Sequence, residues 1–205
     1  SLNSEFGVPL TLLEEESGFS NFWKWFVILL RAEWKSFFKL PHEKIVLELG
    51  VDAPDDMRKL LKIIQPNVGV FLNVAPVHLI NFKNTKEIAT EKSLLISTLP
   101  KSATAILNAD DQYACKIQTQ AKKIFFGCSR NADLRATNVK ENLQGISATI
   151  TWQNQKVILR VPILGKQNLH SILAGISVGI AEGVGLKKSV ATLANFQLPA
   201  GRLNL

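Results

Sequence analysis

The 205-residue sequence has few cysteines, no long apolar run and no dense cluster of basic residues. Its two cysteines, Cys115 and Cys128, form no C-x-x-C motif, and two thiols cannot build the disulfide framework of a small secreted domain. Because the sequence also shows no secretory signal peptide, we expect a cytoplasmic protein. The apolar run from Trp25 to Leu30 is far shorter than the roughly 20 residues that a membrane-spanning helix needs.

The net charge of +7 would suit nucleic acid, an anionic membrane surface or phosphate-bearing small molecules. The lysines are scattered and no nucleic-acid motif is visible, so we do not expect nucleic acid as a partner. The sequence starts at Ser1 and stops at Leu205 without an obvious terminal element. We therefore expect a piece of a longer protein, and we expect it to be a monomer.

Short apolar strand signals alternate with helical signals between residues 44 and 127, which predicts an α/β fold with a mostly parallel sheet flanked by helices. From residue 133 the period changes to two, which predicts a small antiparallel sheet over 133–162, followed by two helices. The predicted strands of the first part are 44–49, 68–74, 103–108 and 122–126, and the predicted helices are 54–64, 84–100, 110–120, 168–185 and 187–196.

Residues 20–40 do not fit this alternation. They contain three of the four tryptophans together with four basic residues, which would suit a helix lying in a membrane interface. Apolar residues almost encircle this predicted helix, so we favour an amphipathic helix packed on the sheet or on a neighbouring domain. A weak contact with a membrane surface or a protein stays open as the alternative.

Three polar residues interrupt the apolar pattern. Glu48 ends a predicted strand, His78 follows the next strand, and Lys92 lies on the apolar face of a helix beside Ile88 and Leu95. In an open α/β sheet, ligands bind outside the carboxyl ends of the strands, so Glu48 and His78 are candidate ligands of Mg²⁺ or a similar ion. Each also has a structural explanation, since a terminal Glu can be solvated, a loop His can cap, and a Lys can extend to solvent.

The sequence resembles the central domain of the Mur ligase family. Six blocks that look like that domain occur in the family's order: "VLELGVDAPDDM", "NVAPVHLINF", "IATEKSLLISTLP", "AILNADD", "LGKQNLHSILA" and "LPAGRL". The opening "SLNSEFGVPLTLL" resembles the branch that adds D-Ala-D-Ala to a UDP-MurNAc tripeptide. One block alone would be weak evidence for the resemblance, but all of them together in the family's order are strong evidence. The resemblance implies the P-loop-NTPase-like fold of these ATP-dependent ligases, over residues 1–205.

The family phosphorylates a substrate carboxylate with ATP, and an amine then attacks the acyl phosphate. By this resemblance, Glu48 and His78 fall where the family holds Mg²⁺, and Lys92 falls where several members carry a carbamylated lysine. His78 and Lys92 are therefore expected to act in catalysis. A lysine ammonium group would repel a metal ion, whereas a carbamate is an anion and can bind one. The expected substrates are UDP-MurNAc-peptide and D-Ala-D-Ala.

Four other residues are implied by the same resemblance to bind the nucleotide: Asn168 near the adenine, Arg202 near the phosphates, and Asn108 and Asp110 close by. For Asn108 and Asp110 an N-cap between a strand and a helix is an equal explanation. Asn3 falls in the stretch that faces the muramoyl-peptide.

The sequence departs from the family at several points, including Asp55 in place of a common Gly, Leu94 in place of a common Glu, and a longer segment 14–43. Gln167 replaces a common His, Ser171 replaces a common Asn, and no G-K-[ST] phosphate loop is present. We therefore expect this fragment alone to be inactive. A folylpolyglutamate-type or cyanophycin-type ligase, or a non-catalytic Mur-like binding module, remains the alternative.

Overall fold

The computed structural model describes residues 3–38, 42–76, 80–194 and 196. The chain divides into two compact units. Unit 1 comprises residues 1–65 and 76–91, and unit 2 comprises residues 66–75 and 92–205. Helix α4, Thr85–Ser97, crosses the division, which falls between Glu91 and Lys92.

Unit 2 is built on one six-stranded sheet in the order β1-β2-β3-β4-β5-β6. The first four strands run parallel to one another, and each is joined to the next by residues that leave the sheet. The predicted parallel strands are thereby confirmed at β1, Val68–Phe71, β2, Thr104–Asn108, and β3, Lys122–Gly127.

The antiparallel part is continuous with this sheet. Strands β4, Leu134–Asn142, β5, Gly145–Trp152, and β6, Gln155–Val161, pair as a meander, and β4 also pairs with β3 in parallel. The register of β4 shifts between Thr137 and Lys140, where Asn138 adopts a positive φ of 52°. The antiparallel strands were expected from their period of two, and the structure shows that they extend the parallel sheet.

Both faces of the sheet are covered, because successive side chains of a strand point to opposite faces. On β2, Ile106 belongs to one apolar cluster, whereas Ala105 and Leu107 belong to the other. Helix α5, Asn168–Ala181, contributes four residues that lie on one face at helical spacing to the first cluster: Leu169, Ile172, Leu173 and Ile176. Helix α6, Leu186–Leu193, adds Leu186 and Val190 to the same cluster. The last turns of α4 add Ile96 and Leu99 to the second.

Unit 1 contains helices but no β-strand among its described residues. Helix α1 is Gly7–Leu13, α2 is Phe22–Ser36 and α3 is Asp56–Ile63. Helix α3 buries Met57 and Leu60, which lie on one face of the helix. The backbone N–H of Met57 donates to Glu91 Oε1 at 2.9 Å, which ties the start of α3 to α4.

Two predicted elements are wrong. Residues 44–49 are not a strand: they have no ladder partner, and Val46 is 92% exposed. An apolar run can form a strand only where a neighbouring strand accepts its hydrogen bonds. Residues 110–120 are not a helix either, and hold only a short 3-10 turn at Ala114–Lys116. The carboxylate of Asp111 binds the N–H groups of Tyr113 and Ala114 and starts this short turn.

Candidate functional site

The predicted site residues are divided between the two units. Asn3 and Glu48 belong to unit 1, while Lys92, Asn108, Asp110 and Asn168 belong to unit 2. His78 and Arg202 lie outside the described residues. Each unit therefore presents its own group of candidate residues.

In unit 1 the structure brings together Asn3 and Glu48. The Nδ2 atom of Asn3 donates to Glu48 Oε1 at 3.0 Å, and the backbone N–H of Gly50 donates to the Asn3 carbonyl at 2.7 Å. A Cβ at Gly50 would lie 2.8 Å from the Asn3 side chain, so the glycine permits this close approach. Glu48 itself is exposed. Its carboxylate is thus oriented by a neutral amide and accessible to solvent, which suits an oxygen ligand for a hard cation.

Lys92 occupies the inner face of α4, as the sequence predicts. It lies one turn after Ile88 and one turn before Ile96, both of which are fully buried, but is itself only half-buried. No hydrogen bond or ion pair to Lys92 is found among the described residues. Within the described part of the chain, the amine of Lys92 therefore has no compensating anion.

The start of α4 is fixed by its own side chains. Asn84 precedes the helix, and its Oδ1 accepts from the Glu87 backbone N–H at 3.0 Å. Glu87 Oε2 accepts from the Lys83 backbone N–H at 2.9 Å. In a regular capping box the glutamate would bind the N–H of the cap residue, whereas here it binds the residue before the cap. These two bonds form an N-cap and a variant of the capping box, which fix the start of α4.

In unit 2, polar side chains gather after β2, but they bind backbone. Asn108 is buried at the end of β2, and its Oδ1 accepts from the Asp110 backbone N–H at 2.9 Å. Asp111 Oδ2 accepts from the Val74 backbone N–H at 3.2 Å, which joins this loop to the segment that follows β1. The helix N-cap that the sequence offered as an alternative for this stretch is not formed, because no α-helix follows, and Asn108 instead closes a turn of the loop.

The carboxylate of Asp110 joins the loops after β2 and β3 to α5. Its Oδ2 accepts from the Cys128 N–H at 2.7 Å, and its Oδ1 accepts from the Ser129 N–H at 2.8 Å. His170 Nε2 lies 2.9 Å from the same Oδ2. Gly127 makes room for this arrangement: its φ is +155°, and a Cβ there would lie 2.8 Å from the Asp110 carboxylate.

These contacts set the charge state of Asp110. Burial alone would raise its pKa, but the Cys128 N–H, His170 and the Ser129 N–H outweigh burial and hold the pKa below the ordinary value of 3.8. Burial and the nearby Asp110 charge together raise the pKa of the Cys128 thiol, despite the opposing charge of Arg135. Asp110 is therefore ionised at neutral pH, and its carboxylate connects the loop after β2 to the loop after β3 and to α5.

Asn168 stands at the first position of α5. Its Nδ2 donates to the Leu164 carbonyl at 2.7 Å, and its backbone N–H donates to the Gly165 carbonyl at 2.9 Å. Two residues later, His170 pairs with Asp110, a role that sequence reasoning missed. The signal was a single histidine among the apolar residues of the helix, and only the fold shows which acid it faces.

Among the residues that the structure describes, no three His, Cys, Asp or Glu side chains are grouped closely enough to hold a metal ion. In the same part of the chain, no helix combines the length and the apolarity needed to cross a bilayer.

Comparison with known proteins identifies the family. A model of the Mur ligase middle domain matches residues 29–179, which is more than half of the chain. The UDP-N-acetylmuramoyl-tripeptide--D-alanyl-D-alanine ligase of Buchnera aphidicola subsp. Baizongia pistaciae is 28% identical, over 100% of this chain and 40% of its own length. The UDP-N-acetylmuramoyl-L-alanyl-D-glutamate--2,6-diaminopimelate ligase of Chlamydia caviae is 32% identical, over 67% of this chain and 29% of its own length.

A solved structure shares the fold. The crystal structure of MurF from Acinetobacter baumannii superposes with a TM-score of 0.75 at 24% identity, over 99% of this chain and 45% of that one. The chain thus spans less than half the length of these relatives. Since the middle-domain model covers most of the sequence, the chain belongs to the Mur ligase family.

Proposed function

We propose that the protein containing this chain is an ATP-dependent ligase that joins D-alanyl-D-alanine to a UDP-N-acetylmuramoyl tripeptide during peptidoglycan-precursor synthesis. One observation carries the proposal. The match to a D-alanyl-D-alanine ligase extends over the whole chain, whereas the match to a diaminopimelate ligase covers about two thirds of it.

In the proposed reaction, the substrate carboxylate accepts the γ-phosphoryl group of ATP, and the amine of the dipeptide then displaces phosphate to form the amide bond. Asn3 fits a role in positioning, because it orients Glu48 through its amide and lies in the segment assigned to the muramoyl-peptide. Asn168 and Arg202 are proposed to contact the nucleotide. Asn108 and Asp110 are proposed to support the loops, because their side-chain oxygens accept backbone N–H groups.

We propose Glu48, His78 and Lys92 as the residues that hold magnesium. The exposed carboxylate of Glu48 fits this role in its donor chemistry. Lys92 fits only as a carbamate, since an ammonium group would repel the ion. Bound magnesium would offset the negative charge that develops on the transferred phosphoryl group.

The test is an assay of the complete protein with Mg-ATP and one pair of acceptor and amine at a time. The pairs are a UDP-MurNAc tripeptide with D-alanyl-D-alanine, UDP-MurNAc-L-alanyl-D-glutamate with diaminopimelate, and a folate with glutamate, and both phosphate release and product mass are measured. We expect phosphate release and an adduct of the corresponding mass with D-alanyl-D-alanine alone. An adduct with another amine would indicate a sister ligase, and absence of turnover with all three would favour a non-catalytic module.

A further inference from the structure

Positive charge is concentrated in unit 2. This unit carries 14 Lys and Arg residues against five Asp and Glu residues, whereas unit 1 carries ten against twelve. Four of the five acids of unit 2 accept backbone N–H groups: Asp110, Asp111, Asp133 and Glu141. Unit 2 therefore has a surplus of nine positive charges, and such a surplus attracts anions from a distance.

Part of this charge lies on one face of the meander formed by β4, β5 and β6. Residues that oppose each other across neighbouring strands have their side chains on the same face of the sheet. The strand pairing defines three rows on this face, which are Arg135–Thr151–Lys156, Thr137–Thr149–Ile158 and Lys140–Ser147–Arg160. Cations thus occupy the four corners of the face, at the ends of its first and third rows. The corners enclose a rectangle of about 10 by 14 Å. We call this surface the basic face.

The other face of the same strands is apolar. Ala148 and Leu159, which alternate with the residues of the basic face, are buried in the first apolar cluster. Glu141 is the single acid of these three strands, and it opposes Ile146, which is also buried in that cluster. Its Oε1 accepts from the Gly165 backbone N–H at 2.6 Å. Within the described strands β4 to β6, the basic face therefore has four cations and no acid.

Three of the four cations are fully available to solvent. Lys140, Lys156 and Arg160 are exposed, and no side-chain hydrogen bond or ion pair to any of them is found in the part of the chain that the structure describes. An exposed cation without a neighbouring acid attracts anions over a distance that the salt concentration sets. The basic face therefore acts on anions in solution.

The fourth cation connects the basic face to the residues proposed to lie near the nucleotide. Arg135 Nε donates to the Cys128 carbonyl at 3.3 Å, and the Cys128 N–H donates to Asp110. His170 Nε2 lies 2.9 Å from the same carboxylate, in the first turn of α5 and two residues after Asn168. The basic face thus begins beside the candidate nucleotide site of unit 2 and extends away from it across the meander.

We propose that the basic face steers ATP to the nucleotide site and so raises the rate at which ATP associates. This inference rests on the proposed function, which supplies ATP as the substrate. ATP is a polyanion, and clustered cations beside a site raise the rate of encounter with such a ligand. Lys140, Lys156 and Arg160 act before the nucleotide is bound, so their charge changes association, whereas dissociation and turnover at saturating ATP stay the same.

The experiment is a stopped-flow measurement of the association and dissociation rate constants of a fluorescent ATP analogue with the complete protein. It is carried out at about 0.01 M and about 1 M salt, where the Debye length is about 30 and 3 Å. The test variant is Lys140→Glu/Lys156→Glu. We expect its association to be at least about fivefold slower than that of the wild type at low salt, and equal to it at high salt. The melting temperature should not change, because both side chains are exposed.

Two further variants separate the basic face from total charge and from side-chain identity. Lys101→Glu/Lys122→Glu loses the same charge at two exposed residues, before β2 and at the start of β3, and should associate like the wild type. These residues lie at the amino ends of parallel strands, whereas Asn108 and Asp110 end or follow a strand. Lys140→Arg/Lys156→Arg keeps the charge and should also associate like the wild type.

Three results would overturn the proposal. The first is equal association of the wild type and Lys140→Glu/Lys156→Glu at low salt. The second is equal slowing by Lys101→Glu/Lys122→Glu, which would assign the effect to total charge. The third is slowing that persists at high salt, which would indicate direct contact with the nucleotide. Any of these beside ligase turnover would leave the proposed function intact, whereas a complete protein that binds no ATP would overturn both.

Discussion

Three acidic residues beside the candidate sites, Asp110 and Asp111 of unit 2 and Glu48 of unit 1, differ in what their oxygen atoms bind. In unit 2, Asp110 and Asp111 each accept two or more backbone N–H groups and join loops to one another. In unit 1, Glu48 is exposed, and one of its oxygens accepts the side-chain amide of Asn3. Both kinds of residue end or follow strands that the sequence predicts, so position alone does not distinguish them.

The comparison teaches that hydrogen-bond partners separate structural carboxylates from those available to a ligand. A carboxylate that binds several N–H groups is already satisfied, and moving it would break the loop. A carboxylate held by one neutral amide keeps most of its lone pairs. We therefore expect substitutions in the Asp110 group to change stability, and substitutions of Glu48 or Lys92 to change catalysis.

The largest effect is expected from Lys92→Ala in the complete protein. If Lys92 holds magnesium as a carbamate, turnover should fall by several orders of magnitude, because a ligand that acts in the transition state is worth several kcal/mol. The free energy of unfolding should fall by only about 1 kcal/mol, since the side chain is half-buried. Turnover and melting temperature are measured on the same preparation.

Rescue by acetate separates the carbamate from the lysine charge. A small carboxylate can enter the space left by alanine and supply an oxygen ligand, so acetate should restore part of the turnover of Lys92→Ala. Low turnover without rescue would favour a role for the ammonium group itself, and full turnover in the variant would exclude a role as metal ligand.

Asp110→Asn is expected to have the next largest effect, on stability. Asparagine keeps only one side-chain oxygen, so the N–H group of either Cys128 or Ser129 loses its acceptor, and the contact between the carboxylate and His170 is lost. We expect the free energy of unfolding to fall by about 1–3 kcal/mol, while turnover per folded molecule is retained. Chemical denaturation at neutral pH measures the loss.

The pH dependence sharpens this prediction. The pKa of Asp110 in the folded protein lies below 3.8, so its contribution is complete above that value and is lost as the pH falls through the folded pKa. The stability difference between wild type and Asp110→Asn should therefore be constant near neutrality and narrow below about pH 4. A difference that persists unchanged in acid would show that Asp110 does not act through its charge.

The smallest effect is expected from Asn84→Ala at the start of α4. Loss of the cap leaves the Glu87 N–H without its side-chain partner and should cost about 1 kcal/mol. The exposed Asn131, in the loop before β4, provides the control, because Asn131→Ala should leave the melting temperature unchanged. Equal melting temperatures for the two variants would mean that the cap does not stabilise α4.

Much of unit 2 could be predicted from the sequence, because its strands and helices carry strong local patterns. The apolar residues at helical spacing in α5, and the alternation of apolar and polar residues in β5 and β6, predict which side chains are buried. The apolar pattern of residues 44–49 was not enough to predict their structure, because a strand needs a neighbouring strand that its own residues do not specify. The predicted helix at 110–120 failed because Asp111 binds nearby backbone groups and stops the chain from continuing as a regular helix.

The candidate site was predictable to a similar degree. The apolar stripe of α4 identified Lys92 as anomalous, and the family resemblance gave it a role. The contact between His170 and Asp110 spans 60 residues of sequence, so no local pattern could indicate it. The Asn3–Glu48 contact spans 45 residues and was likewise visible only in the fold.

The most direct test of the account is the turnover of Glu48→Gln in the complete protein. Glutamine keeps an oxygen that can accept the Asn3 amide, so this variant removes the charge while preserving the hydrogen bond. We predict at least about a 100-fold loss of turnover, since a carboxylate ligand to magnesium is lost, with an unchanged melting temperature. Wild-type turnover in Glu48→Gln would contradict the assignment of Glu48 to the metal and the distinction between the two kinds of carboxylate.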